Sequence, residues 1–276
     1  MTDFSLWLFS VDPACIRVAV RAGVAGIVVD WESTGKIRRQ AGADTEINHQ
    51  TPEDLRRVRA ATAGPVLCRI NGLHDDSAAE IDRAIALGAD ELLLPMVGSP
   101  RDVERALDLV GGRRPLGILI ETGRAVRSAG DLCALPLSRV YVGLNDLAID
   151  RGSSNIFQAV ADGTVEGVRR TCARPFGFGG LTLPDAGAPI PCHLLIGEMA
   201  RISAGFSFLR RSFFRDIVGR SLDVEVPRLL EAIGSAQERS VGEVLRDHTE
   251  FLSAVAAWVP AAQPVTAAAL DCGGAA

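Results

Sequence analysis

The chain has 276 residues, 47% hydrophobic and 23% charged, which is enough apolar content for one barrel-sized domain or two smaller ones. A formal net charge of -5 and scattered arginine pairs without interleaved aromatics (Arg38/Arg39, Arg56/Arg57, Arg169/Arg170, Arg210/Arg211) argue against nucleic acid as a partner. No basic, apolar leader is read at Leu6–Phe9. The uncharged stretch 252–270 is broken by Pro260 and Pro264, and six cysteines form no Cys-x-x-Cys pair, so a cytoplasmic protein with no membrane partner is expected.

Strand and helix signals alternate along the chain. Leu6–Val11 reads as a short strand and is followed by a helix from Pro13 to Ala22. Gly26–Glu32 is a continuous apolar strand, as expected of one covered on both faces. A helix opens at Thr51-Pro52-Glu53, with an N-cap Thr and Pro at the first helical position. Strands at 65–71, 91–97, 116–122 and 139–146 follow, with helices at 77–87 and 99–110 between the first three. A helix over 155–171, a Gly-rich strand at 176–181, a helix at 191–202 and a strand at 205–209 complete eight βα units.

The expected fold is α/β, a single (β/α)8 TIM barrel over residues 1–222 with additional C-terminal helices over 223–260 and a flexible tail at 261–276. A doubly wound sheet is the alternative, but no glycine-rich phosphate fingerprint opens a helix. The apolar residues of the last helix (Val244, Leu245, Phe251, Leu252, Val255) exceed the needs of a lone surface helix and predict a homo-oligomer.

The chemistry is expected where successive strands end, at the carboxyl rim of the barrel. Glu121 and Asp146 close two successive strands, and such a pair of acids suits a hard divalent cation, Mg²⁺ or Mn²⁺. Either residue also fits as a helix N-cap. Arg69 ends the third strand, either in a rim salt bridge to Glu32 or Glu121 or as a planar donor to a substrate oxygen. The turn at Gly143, Leu144 and Asn145 offers backbone N–H groups to a substrate carboxylate. Asp30 and Glu32 share parity at the end of the second strand, and Glu32 is read as orienting Arg69 or a water. His49 and His74, in loops after strands, are candidate bases, while His193 is read as a cap or core residue. Arg210, Arg211 and Arg215 follow the eighth strand, where a phosphate or an oligomer contact fits.

Asp30-Trp31-Glu32, Arg69 in a strand, ALGADELLLPMV, ILIET and VGLNDLAIDRG, in that order, resemble the HpcH/HpaI aldolase and citrate lyase β-subunit family across about residues 10–155. The resemblance implies a barrel that uses Mg²⁺ or a related ion to hold a pyruvate-like or acyl-thioester enolate while a carbon–carbon bond is made or broken. It implies Glu121 and Asp146 as metal ligands and Arg69 as a substrate contact. Two positions depart from the family pattern. Ser33 stands where the aldolase branch carries a basic His and the acyl-CoA branch an acid, and Leu119 stands where the aldolase branch carries Gln.

The expected activity is that of a metal-dependent lyase or aldolase on a small 2-oxo acid. Arg69, Glu32 and His49 are the expected catalytic residues. The alternatives are an acyl-CoA lyase or condensing enzyme and, from another class, a non-catalytic metabolite-binding barrel.

Overall fold

The computed structural model describes residues 4–33 and 50–258. His49, Lys36 and residues 259–276 lie outside the described residues. Eight parallel strands pair in chain order and close on themselves: β1 (Ser5–Phe9), β2 (Gly26–Asp30), β3 (Val66–Arg69), β4 (Glu91–Leu94), β5 (Leu116–Ile120), β6 (Val140–Val142), β7 (Phe176–Phe178) and β8 (Phe206–Leu209). Closure is the pairing of β1 with β8, with Ser5 opposite Phe206 and Leu8 opposite Leu209. The TIM-barrel expectation holds.

Alternation along each strand divides the core in two. Trp7, Phe9, Val28, Leu67, Leu93, Leu119, Tyr141, Phe206 and Phe208 point inward and fill the barrel. Their neighbours Leu8, Val29, Cys68, Leu94, Ile120 and Val142 point outward, beneath the helices. At the amino end, Arg139 forks onto Glu91 at 2.7 and 2.6 Å and stacks 4.0 Å from the Trp7 ring, which plugs the floor.

The outer helices are α1 (Pro13–Arg21), α2 (Pro52–Ala61), α3 (Ser77–Ala86), α4 (Pro100–Val110), α5 (Gly123–Arg127), α6 (Ala129–Ala134), α7 (Leu144–Asp150), α8 (Gln158–Ala161), α9 (Thr164–Thr171), α10 (Cys192–Arg201), α11 (Arg211–Asp216), α12 (Leu222–Gln237) and α13 (Val241–Ala257). Thr51 caps α2 in a reciprocal capping box with Asp54, with Pro52 in the first turn, as its sequence predicts. The single helix expected over 155–171 is instead two. Gly163, at φ 79°, breaks it after α8 and starts α9.

The additional C-terminal helices follow the barrel as expected. α12 packs against both α10 and α1, within the ring of outer helices. α13 lies on α10 and buries Phe251 and Val255 within its own chain, so much of its apolar face needs no second subunit. α10 is consequently buried from Leu194 through Met199, as a helix covered on both sides must be. Its one buried acid, Glu198, is satisfied by His248 of α13 at 2.8 Å and by Arg201 at 2.9 Å.

Among the described residues no helix is long and apolar enough to cross a membrane. The five described cysteines are all free, and four of them are buried.

Candidate active site

The inward parity of the strands carries past their ends. Two residues beyond inward Val28, Leu67, Leu119 and Phe208 stand Asp30, Arg69, Glu121 and Arg210, so one period-2 rule brings all four to the carboxyl mouth. Asp30, Glu32, Arg69, Glu121 and Asp146 are all buried there. Five charged groups in so small a shell need mutual pairing or a ligand.

Asp30 is the hub. Its Oδ1 accepts from Arg69 Nε at 2.8 Å and its Oδ2 from Arg69 Nη2 at 2.7 Å, a bidentate fork. Arg210 Nη2 adds a third bond to Oδ2 at 3.2 Å. The Phe9 ring lies beneath both cations, 5.4 Å from Arg69 Cζ and 5.0 Å from Arg210 Cζ. Glu32 forms the rim ion pair with Arg69 that its sequence position predicts. Its Oε2 is 3.2 Å from Arg69 Nη1, an ion pair without hydrogen-bond angles. The Nε–H and one Nη2–H are spent on Asp30, which leaves the Nη1 hydrogens and the second Nη2 hydrogen as donors for an incoming oxygen. Burial alone would lower the Arg69 pKa, but the Asp30 and Glu32 carboxylates outweigh it and raise it, so the guanidinium is permanently charged.

Glu121 lies one residue past β5, and its single hydrogen bond among the described residues is from the Met96 N–H at 3.1 Å. Met96 sits at φ 54°, a conformation costly for a side chain of its size, and this aims its N–H at the carboxylate. Burial first, then the charges of Asp146 and Glu32, push the Glu121 pKa up to about 8 against the opposing pull of Arg69. Gly143 packs directly on this carboxylate, where a Cβ would lie 2.4 Å from Oε1.

Asp146 departs from its expected setting. β6 ends at Val142, and Asp146 is in the first turn of α7, not on a strand. Neither acid is a cap: Thr122 caps α5 through its hydroxyl, and Gly143 occupies the N-cap of α7. The alternative reading of both as caps therefore falls. Leu144 and Asn145 open α7, where the first N–H groups have no partner within the helix.

The other candidates fare less well. Both ring nitrogens of His74 are engaged, Nε2 with Glu80 Oε2 at 3.2 Å and Nδ1 with the Asp76 N–H at 3.1 Å. His193 is exposed on α10 and is neither core nor cap. Ser33, in the place of the family base, donates its N–H to Asn71 Oδ1 at 2.9 Å. Arg215 pairs with Asp216, while Arg210 turns into the mouth. Its position after β8 suggested a phosphate or an oligomer contact for Arg210, although the alternation Phe206-Ser207-Phe208-Leu209-Arg210 already marks it as inward-facing.

Residues 3–178 match the HpcH/HpaI aldolase/citrate lyase family. The chain belongs to that family. Membership places it among enzymes of the lyase and aldolase type. No curated relative matches the sequence.

Solved structures share the fold at low identity. An HpcH/HpaI aldolase from Desulfitobacterium hafniense is 16% identical over 87% of this chain and 95% of its own, with a TM-score of 0.58. A family protein from Burkholderia cenocepacia is 14% identical over 78% and 91%, at 0.60. The citrate synthase SbnG is 16% identical over 78% and 89%, at 0.56. The matched HpcH/HpaI segment contains Arg69, Glu121 and Asp146 but ends before Arg210.

Proposed function

We propose that the protein is a divalent-metal-dependent carbon–carbon lyase that works through the pyruvate-like enolate of a small 2-oxo acid. The observation that carries this reading is the buried pair Glu121 and Asp146, neither of them a cap, facing an arginine fixed by its own carboxylate. The pair offers only oxygen donors, which fits Mg²⁺ or Mn²⁺. Among the described residues no group of three or more His, Cys, Asp or Glu side chains gathers into an all-protein cage. Two carboxylates suit an ion that keeps positions for water and a chelating substrate. When bound, such an ion supplies Lewis-acid polarisation of the carbonyl.

The chain's own residues do the rest. Glu121 and Asp146 hold the ion, and Met96 and Gly143 hold Glu121. The unspent N–H groups of Arg69 donate to the oxygen on which enolate charge develops, already oriented before the charge appears. The N–H groups of Leu144 and Asn145, after Gly143, receive the substrate carboxylate. Glu32 orients Arg69 from its Nη1 side. With His74 engaged, His49 is the candidate base. The sequence holds a single lysine, Lys36, and no described strand end carries an amine for a Schiff base. A second copy of the chain is proposed to cover Val241 and Leu245, which stay exposed on α13; light scattering on the full chain tests this.

The test of the reaction is exchange of pyruvate methyl protons for deuterium, followed by NMR in D₂O with Mg²⁺ or Mn²⁺. Exchange that stops on chelation and returns with the ion supports the enolate. Turnover of acyl-CoA without pyruvate exchange would move the reaction to the thioester branch, and exchange by metal-stripped protein would overturn the metal's role.

A further inference from the structure

We infer that Arg210, at the end of β8, is a positioning residue for Arg69 and acts through the Asp30 carboxylate that the two arginines share. The inference rests on the enolate reading for its catalytic consequence but not for its physical content. The tie crosses neighbouring strands: Arg210 follows β8, Phe9 closes β1, Asp30 closes β2 and Arg69 closes β3. Each link has a contact. Arg210 Nη2 meets Asp30 Oδ2 at 3.2 Å, the same oxygen that takes Arg69 Nη2 at 2.7 Å. Phe9 supports both guanidinium groups from one side.

The physical role follows from the shape of a carboxylate. A fork between Asp30 and Arg69 fixes the two planes relative to each other, but it leaves the pair free to rock together about the Asp30 side-chain torsions. Among the described residues, two further donors pin the Asp30 carboxylate. Its Oδ1 also accepts the Glu32 N–H at 3.3 Å, and its Oδ2 accepts Arg210. Its backbone is held as well, since the Asp30 N–H donates to Gln50 Oε1 at 2.6 Å. Among the described residues, Arg210 is the side-chain anchor that reaches Asp30 from across the barrel seam. Without it the Nη1 edge of Arg69 keeps its charge and its Glu32 ion pair but loses one of the anchors that fix its direction. An oxyanion donor is worth most when it needs no reorganisation, so its direction is what Arg210 supplies.

The test reads Arg69 directly. In ¹⁵N-resolved spectra the Arg69 Nε–H signal is assigned by its loss in Arg69→Lys, and its exchange with solvent is measured in Arg210→Gln. We expect exchange to accelerate by at least ~10-fold, with a thermal midpoint close to that of the parent protein. Arg210→Lys, which keeps a cation for Asp30, should restore most of the protection. In the pyruvate exchange assay Arg210→Gln should slow the rate at saturating pyruvate about 10-fold with little change in KM, a modest share of what misplacing a reacting group costs. In an Arg69→Lys background it should add nothing.

An Arg69 Nε–H that exchanges at the parent rate in Arg210→Gln overturns the inference. So does a further loss through KM in the Arg69→Lys background, which would place Arg210 on the substrate itself. If the parent protein shows no pyruvate exchange, the enolate reading fails, and the NMR arm still decides the role of Arg210.

Discussion

Gly143 and Glu121 are packed so closely that a Cβ on Gly143 would stand 2.4 Å from Oε1, 2.6 Å from Cγ and 2.9 Å from Cδ of the glutamate. The backbone of Gly143 is ordinary, at φ -85°, so the demand for glycine is one of space and not of conformation. Gly143→Ala must therefore move Glu121. Overpacking of this kind costs on the order of 1–3 kcal/mol, and the displaced carboxylate should cut pyruvate exchange by about 10²-fold. Thermal melts and Mg²⁺ titration check it. Parent-like Mg²⁺ affinity in this variant would remove Glu121 from the metal site.

Arg69→Lys keeps a positive charge beside Asp30 but loses the bidentate fork. The expected result is a fall in kcat of about 10²-fold or more, the scale of losing an oriented oxyanion donor, with Mg²⁺ affinity little changed. Arg69→Met should be less stable, because it removes the fork and leaves the buried Asp30 carboxylate only its weaker contacts, Arg210 among them. Normal turnover by Arg69→Lys would reduce Arg69 to a rim salt bridge.

Glu121 gives a pH signature to the metal-free protein. Its folded pKa is raised to about 8, above the ordinary carboxylate value, chiefly by burial and then by Asp146. The folded state thus holds a proton that the unfolded chain has released over the range from about 4.5 to about 8. Stability in the presence of chelator should fall as pH rises through that window, and Glu121→Gln should flatten the slope. Melts across pH 5 to about 8.5 would show this, and identical slopes in the two proteins would contradict it. By the same linkage, apparent Mg²⁺ affinity should rise with pH up to about 8.

Truncation before Val241 removes α13 and uncovers the outer face of α10, including the Glu198 carboxylate that His248 meets. The shortened chain should aggregate or melt at a lower temperature, and light scattering with a thermal ramp measures both. A truncated protein as stable and dispersed as the full chain would mean that α13 is only peripheral to α10.

The sequence carried the barrel and the core of the site because both are local signals. Alternation put Arg69 and Glu121 at inward positions, and the run Asp30-Trp31-Glu32 placed two acids on one face. Long-range pairing was not legible. Glu32 and Glu121 were the expected partners of Arg69; the Glu32 ion pair is present at 3.2 Å, but the bidentate fork goes to Asp30, where β2 ends. Asp146 read as a strand end because LND follows an apolar run, whereas β6 stops at Val142 and the helix starts at Leu144. The left-handed Met96 carries no sequence mark, because methionine is not a residue that predicts positive φ. The function of Arg210 depends on a partner 180 residues away.

The meeting of β1 with β8 sets an order on how this protein can come into being. An emerging chain that has not yet reached Phe206 has no strand to lay against Ser5–Phe9, so β1 waits as an open edge through most of synthesis. Contacts of such long sequence separation are the slow ones in folding. Arg210 follows that last strand, so Asp30 and Arg69 can reach their final setting only once the ring has shut. A chain that stops short of closure therefore carries the matched family segment and its acids, but not the finished site.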